Sequence, residues 1–278
     1  MTRPLIVTLL LVAASTAGAG EKNLERTFTV SANGSLIVDA DAASVHVSGT
    51  DTNQVVVHMT ARASDDDLAT AKLEAYQKGD EVTVTMRTQG KMGWFGRSWH
   101  GDSRIEVTVP RHIAIDVRTG GGEIELADTT GAAKLHTSGG DIVAKNLGGT
   151  LEARTSGGGI RVDTVRGDVD AGTSGGDVHL LHVDGKIRGD TSGGNVECSL
   201  VGANRGITAT TSGGNIRLIL PRNTAGMLEA KTSGGGIKTD IPVTTTEMQE
   251  GHMRGSLNGG GPLIEARTSG GDISLHAE

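Results

Sequence analysis

Carboxylates, imidazoles, one thiol and one group of aromatics are the side chains in this sequence whose types and spacing could do chemistry. Asp141 and Asp177 occupy equivalent places in a repeated phrase, two repeats of 18 residues apart. If each repeat is one coil of stacked strands, they stand about 9–10 Å apart, inside the range used by carboxylate pairs that hydrolyse glycosides. Both directly follow a glycine pair, however, where an Asp or Asn side chain satisfies turn amides, and that structural role is the stronger reading. His179 and His182 bracket Leu180-Leu181 and are too few to hold a metal without further ligands. Asp65-Asp66-Asp67 lacks the spaced ligands of a calcium loop and reads as the acidic first turn of a short helix. Cys198 is the one cysteine, so no internal disulfide can form, and it falls in an aliphatic column as a small buried hydrophobe. No serine has an identifiable base. The residues therefore predict no catalytic set, no cofactor site and no metal site, and a non-enzymatic protein.

The aromatics are more suggestive. Trp94, Phe95 and Trp99 are three of only five in the chain, and they fall together in GKMGWFGRSWHGD, residues 90–102. Four glycines flank and interrupt them, which predicts an exposed loop rather than a strand. Clustered aromatics on a loop can insert into a protein partner, a glycan or a membrane interface. Alternatively they fold back and cover the open end of a sheet. Trp94, Phe95 and Trp99 are thus the candidate partner contact, with the irregular stretch 242–258 second.

What must position these groups is a repeat. The phrase TSGG occurs seven times between Thr137 and Gly271, after a degenerate copy at Thr119. Its threonines stand at 119, 137, 155, 173, 191, 211, 232 and 268. The first four intervals are 18 residues, then 20, 21 and 36. That period means a solenoid, whose single coil cannot bury a core alone. Four residues before each threonine stand Ile115, Ala133, Leu151, Val169, Ile187, Ile207, Leu228 and Ile264; five after it stand Ile124, Ile142, Ile160, Val178, Val196, Ile216, Ile237 and Ile273. With further aliphatics at spacing two, each coil reads as strand, glycine corner, strand and a looser second corner.

The threonines share the parity of the apolar columns. Thr137, Thr155, Thr173, Thr191, Thr211, Thr232 and Thr268 are therefore expected to point inward and to hydrogen-bond the next coil or the corner backbone. Gly139-Gly140 and their equivalents supply either a positive φ or a close backbone approach. Inward threonines do not suit ice binding, and the rhythm is not that of calcium-binding nonapeptides.

The fold expected is all-β, a β-solenoid with coils of about 18 residues. Residues 1–19 read as a secretory signal peptide, with Arg3, an apolar run from Leu5 to Ala14, and Ala17-Gly18-Ala19 at the cleavage point. No later stretch is apolar enough to cross a membrane. Residues 20–114 read as an irregular β part carrying the aromatic loop, and 115–278 as the regular coils, interrupted near 242–258. A formal net charge of −7 with dispersed basic residues argues against nucleic acid as a partner.

The order of these features resembles the bacterial putative adhesin family built on a domain of unknown function. A signal peptide and irregular strands come first, then Val107 to Pro110 (VTVP), then TSGGDI-type phrases. The residues that carry the likeness are Ile113 to Thr119, Thr137 to Ile142, Thr173 to Val178 and Thr268 to Ile273. The resemblance implies a β-solenoid at the cell surface or in the periplasm and supplies no catalytic residues. The function expected is exported, non-enzymatic surface interaction with a glycan, the envelope or a protein. The alternatives are an envelope assembly protein that stacks through an end coil and, behind it, a polysaccharide-active enzyme.

Overall fold

The computed structural model describes residues 20–88, 92, 93, 96, 97, 99 and 101–278. Among them the chain forms one sheet of 12 strands, one of 13 and a two-stranded ladder, Met92–Gly93 with Gly96–Arg97. Alternating β-branched and aliphatic residues direct this, since every second side chain of each strand turns inward. The inward columns of both sheets merge into one apolar core. At Gly189 the facing sheet fills the missing side chain: a Cβ there would lie 3.1 Å from Val196 and 3.3 Å from Leu180.

Each coil donates one strand to each sheet, and neighbouring coils pair in parallel register. Ile115 stands opposite Ala133, Ala133 opposite Leu151, and Leu151 opposite Val169. The other sheet repeats this with Ile124, Ile142 and Ile160. Stacked identical positions give each aliphatic the same neighbours above and below, so one phrase suffices for every coil.

The region 20–114 contributes two of these coils and their cover. Ser35–Ala40 and Ser44–Thr50 form one coil; Glu81–Arg87 and Asp102–Pro110 form the one outside it. Antiparallel strands then close this end. Gln54–Arg62 pairs with Asp102–Pro110, Glu21–Thr29 pairs with Gln54–Arg62, and Lys72–Lys78 pairs with Glu81–Arg87. The short helix Asp65–Thr70 is the predicted acidic turn. Ser64 caps it, its Oγ accepting from the Asp67 amide at 3.3 Å and donating to Asp67 Oδ2 at 2.9 Å.

At the other end the stacking order departs from the sequence order. The coil made by Leu263–Arg267 and Ile273–Ala277 lies between the coil of residues 207–220 and the coil of residues 226–239. Residues 242–258, the irregular stretch that interrupts the regular coils, supply the hairpin Thr244–Gln249 and His252–Leu257, which pairs antiparallel with Gly226–Lys231. The antiparallel hairpin covers the parallel ladder of that sheet, with a bulge between Thr245 and Glu247 in its outer strand.

Candidate interaction surface

The repeated corner is built by three interlocking contacts. Each threonine is buried and its Oγ1 donates to a glycine carbonyl of the neighbouring coil: Thr137 to Gly122 at 2.9 Å, Thr155 to Gly140 at 2.9 Å, Thr173 to Gly158 at 2.7 Å and Thr191 to Gly176 at 2.8 Å. Thr211 donates to Gly194, Thr268 to Gly214 and Thr232 to Gly271, each at 2.8 Å, which retraces the rearranged stacking order. In several corners the same hydroxyl also accepts from the second glycine's amide, as at Gly140 and Gly235.

Of the two services the glycines could give, the corners use close approach. Neither Gly139 nor Gly140 has a positive φ. A Cβ on Gly140 would stand 2.1 Å from the Gly122 oxygen, whereas one on Gly139 would meet nothing nearer than 3.6 Å. The Asp and Asn residues after the glycines serve the next coil rather than their own turn. Asp141 Oδ1 accepts from the Gly159 amide at 2.7 Å, Asp177 Oδ1 from Asn195 at 2.6 Å, and Asn195 Oδ1 from Asn215 at 2.9 Å. Asp141 and Asp177 are thereby committed to the stack, which leaves their carboxylates to the ladder rather than to a cleft.

The two histidines flagged by the sequence go separate ways. His179 Nδ1 meets Glu197 at 3.0 Å and His182 Nδ1 meets Asp163 at 2.9 Å, each on a neighbouring strand. The His182 hydrogen bond is the main cause that holds the Asp163 carboxyl below the usual aspartate range. No group of three His, Cys, Asp or Glu among the described residues is placed to hold a metal. Cys198 is fully buried, and burial pushes its thiol up to about 12.

The sequence did not reveal an outward row on the first five strands of the 12-stranded sheet. Glu25, His58, Glu106, His46 and Glu125 stand side by side there, alternating acid and imidazole. His46 Nε2 contacts Glu125, and His58 Nε2 lies 3.7 Å from Glu25. Only the strand register brings these residues together, since they lie far apart in sequence. On the other sheet the outward charges pair similarly: Arg154 with Asp170 at 2.7 Å, Arg188 with Asp190 at 2.8 Å and Arg267 with Glu229 at 2.8 Å. These exposed pairs contribute at most about 1 kcal/mol each.

The aromatic segment joins Glu81–Arg87 of one sheet to Asp102–Pro110 of the other, so it is itself a corner, placed on the outermost parallel coil. Other corners on this edge take three to five residues; this one takes the fourteen from 88 to 101. Trp99 is half-buried and packs against the core. Gly101 beside it has no room for a side chain, since a Cβ would lie 2.4 Å from the Arg62 oxygen and 3.0 Å from the Trp99 ring. Trp94 and Phe95 lie outside the described residues.

Parallel coils, a repeated threonine–glycine corner and a match over residues 34–276 settle the family. The chain belongs to the Toastrack DUF4097 family. Solved structures similar to this Toastrack chain are distant. A "putative lipid binding protein" from Parabacteroides distasonis is 13% identical, with 91% of this chain and 96% of that one covered and a TM-score of 0.43. A "putative adhesin" from the same organism is 14% identical, with coverage of 91% and 97% and a TM-score of 0.42. A "putative cell adhesion protein" from Clostridium sporogenes is 14% identical, with coverage of 92% and 100% and a TM-score of 0.26. A comparison with curated proteins finds no match. No helix of the Toastrack chain, among the described residues, is long and apolar enough to cross a membrane.

Proposed function

We propose that this chain is an exported, non-enzymatic surface-interaction module of the adhesin kind, which meets a glycan, an envelope component or another protein. The observation that carries this reading is the expansion of a single corner on the edge that carries the threonine–glycine corners. A stack whose neighbouring corners need three to five residues gives fourteen to the one that holds Trp94, Phe95 and Trp99. Long loops in compact domains are where binding is concentrated, and aromatic anchors contribute most of the energy of many contacts. Trp99, packed against the core, serves as the segment's anchor, and Trp94 and Phe95 are the contact residues. The apolar run in residues 1–19 supports export to the periplasm or cell surface.

The test is binding of the purified protein without residues 1–19 to whole cells and a glycan array. Trp94→Ala with Phe95→Ala is expected to lower binding about tenfold or more, with an unchanged β-sheet circular dichroism spectrum. Binding equal to that of the unaltered protein would overturn the assignment. A second reading, an assembly protein of the envelope, is supported by the way the last coil of the sequence enters the stack.

A further inference from the structure

Residues 263–278 fill a gap that the preceding chain leaves open. The coils of residues 207–220 and 226–239 are consecutive in sequence, joined only by residues 221–225, yet they do not pair with each other. The later segment bonds to both. On one side the Thr211 amide donates to the Arg267 carbonyl and the Ile216 amide to the Asp272 carbonyl, both at 2.9 Å. On the other the Thr268 amide donates to the Lys231 carbonyl and the Ile273 amide to the Gly236 carbonyl, again at 2.9 Å. Side chains repeat the arrangement. The Asp272 amide donates to Asn215 Oδ1, the Gly236 amide to Asp272 Oδ1 and the Ala277 amide to Asp240 Oδ1. Without this segment two parallel ladders would face each other across a space one strand wide, with their amides and carbonyls unpaired.

The connection to that segment is a hinge. Asn258, Gly259, Gly260 and Gly261 have φ values of 47°, 88°, 90° and 150°, four left-handed residues in succession before Pro262. A Cβ on Gly259 would meet nothing within 4 Å. Asn258 Nδ2 fastens the start of the hinge to the carbonyls of Arg222 and Thr224. Such a run constrains the linker little, so the segment beyond it can reach a slot other than its own.

We infer that residues 263–278 are an exchangeable element, through which two copies of this chain dock by each filling the other's gap. Every contact inside the slot is the same whether the segment comes from the same copy or another. The two forms differ only at the hinge and in concentration, the condition under which segments swap. A reciprocal exchange closes as a two-fold dimer and leaves no gap unfilled. This inference is independent of the aromatic contact and survives or fails without it.

Thr208 and Glu265 are register partners across the slot boundary, which makes the exchange directly readable. One copy carries Thr208→Cys and the other Glu265→Cys; the native Cys198 is buried and silent. Mixed at high concentration under mild oxidation, the pair is expected to give covalent heterodimer at least about fivefold above a control pairing Glu265→Cys with Lys134→Cys, because only an exchanged segment brings the thiols together. Deleting Gly259 to Gly261 leaves a link that must be fully extended to reach a copy's own slot across Gly226–Lys231, and is expected to raise the dimer fraction further. No heterodimer above the control from the full-length hinge overturns the proposal, whether or not the shortened hinge folds.

Discussion

Thr137, Gly140 and Asp141 divide one corner's work: the hydroxyl ties it to the coil beneath, the glycine admits that coil's carbonyl, and the carboxylate accepts an amide of the coil above. The inward threonine was legible from parity alone, because it shares the strand's period-two face with the aliphatics. The role of the carboxylate was only half legible. Sequence places Asp141 at a turn, but which coil's amide it accepts depends on stacking, which no local pattern encodes. The two glycines look equivalent in sequence and differ in space. Gly140→Ala is expected to cost about 1–3 kcal/mol through backbone displacement, while Gly139→Ala stays within about 0.5 kcal/mol as an ordinary surface change. Urea unfolding of the two variants checks this, and equal costs would contradict it.

Elements show why the rest was hidden. The seven coils with TSGG corners carry the same phrase, so any of them could pair with any other, and chain order is the natural expectation. The chain departs from that order at both ends of the stack. Ser35–Thr50 lies inside the coil of residues 81–110, and 263–278 lies inside 226–239. Antiparallel strands then finish both sheets at one end and the 13-stranded sheet at the other, because a parallel ladder needs a connection too long for a tight hairpin whereas an antiparallel cover does not. Acid reports on how the last coil is held. The Ala277 amide, then His276, holds the Asp240 carboxyl below the usual aspartate range. A carboxyl depressed on folding contributes above its unfolded pKa, about 3.9, and that contribution is lost as pH falls through the lower folded value. The protection of the Ala277 amide, its exchange relative to the unfolded chain at the same pH, is therefore expected to fall below about pH 4 in the unaltered protein, and Asp240→Ala, which leaves no acceptor, should show the low protection already at pH 7. Identical exchange in both proteins at pH 7 would remove this tie.

At the scale of the whole molecule, a β-solenoid was legible because 18-residue spacing admits few other architectures. The row Glu25, His58, Glu106, His46 and Glu125 was not, since its members meet only through the register of five strands. The aromatic segment was visible in composition, but its place as the one expanded corner on its edge of the stack required the topology. What unites these findings is a stack built in an order different from the sequence, and disulfide trapping tests that directly. The distances between parallel register partners suit a disulfide, while strands two apart do not. Thr208→Cys with Glu265→Cys in one chain is predicted to oxidise readily within the monomer, and Thr208→Cys with Glu229→Cys is predicted to stay reduced. The reverse result would place the coils in sequence order and contradict the account.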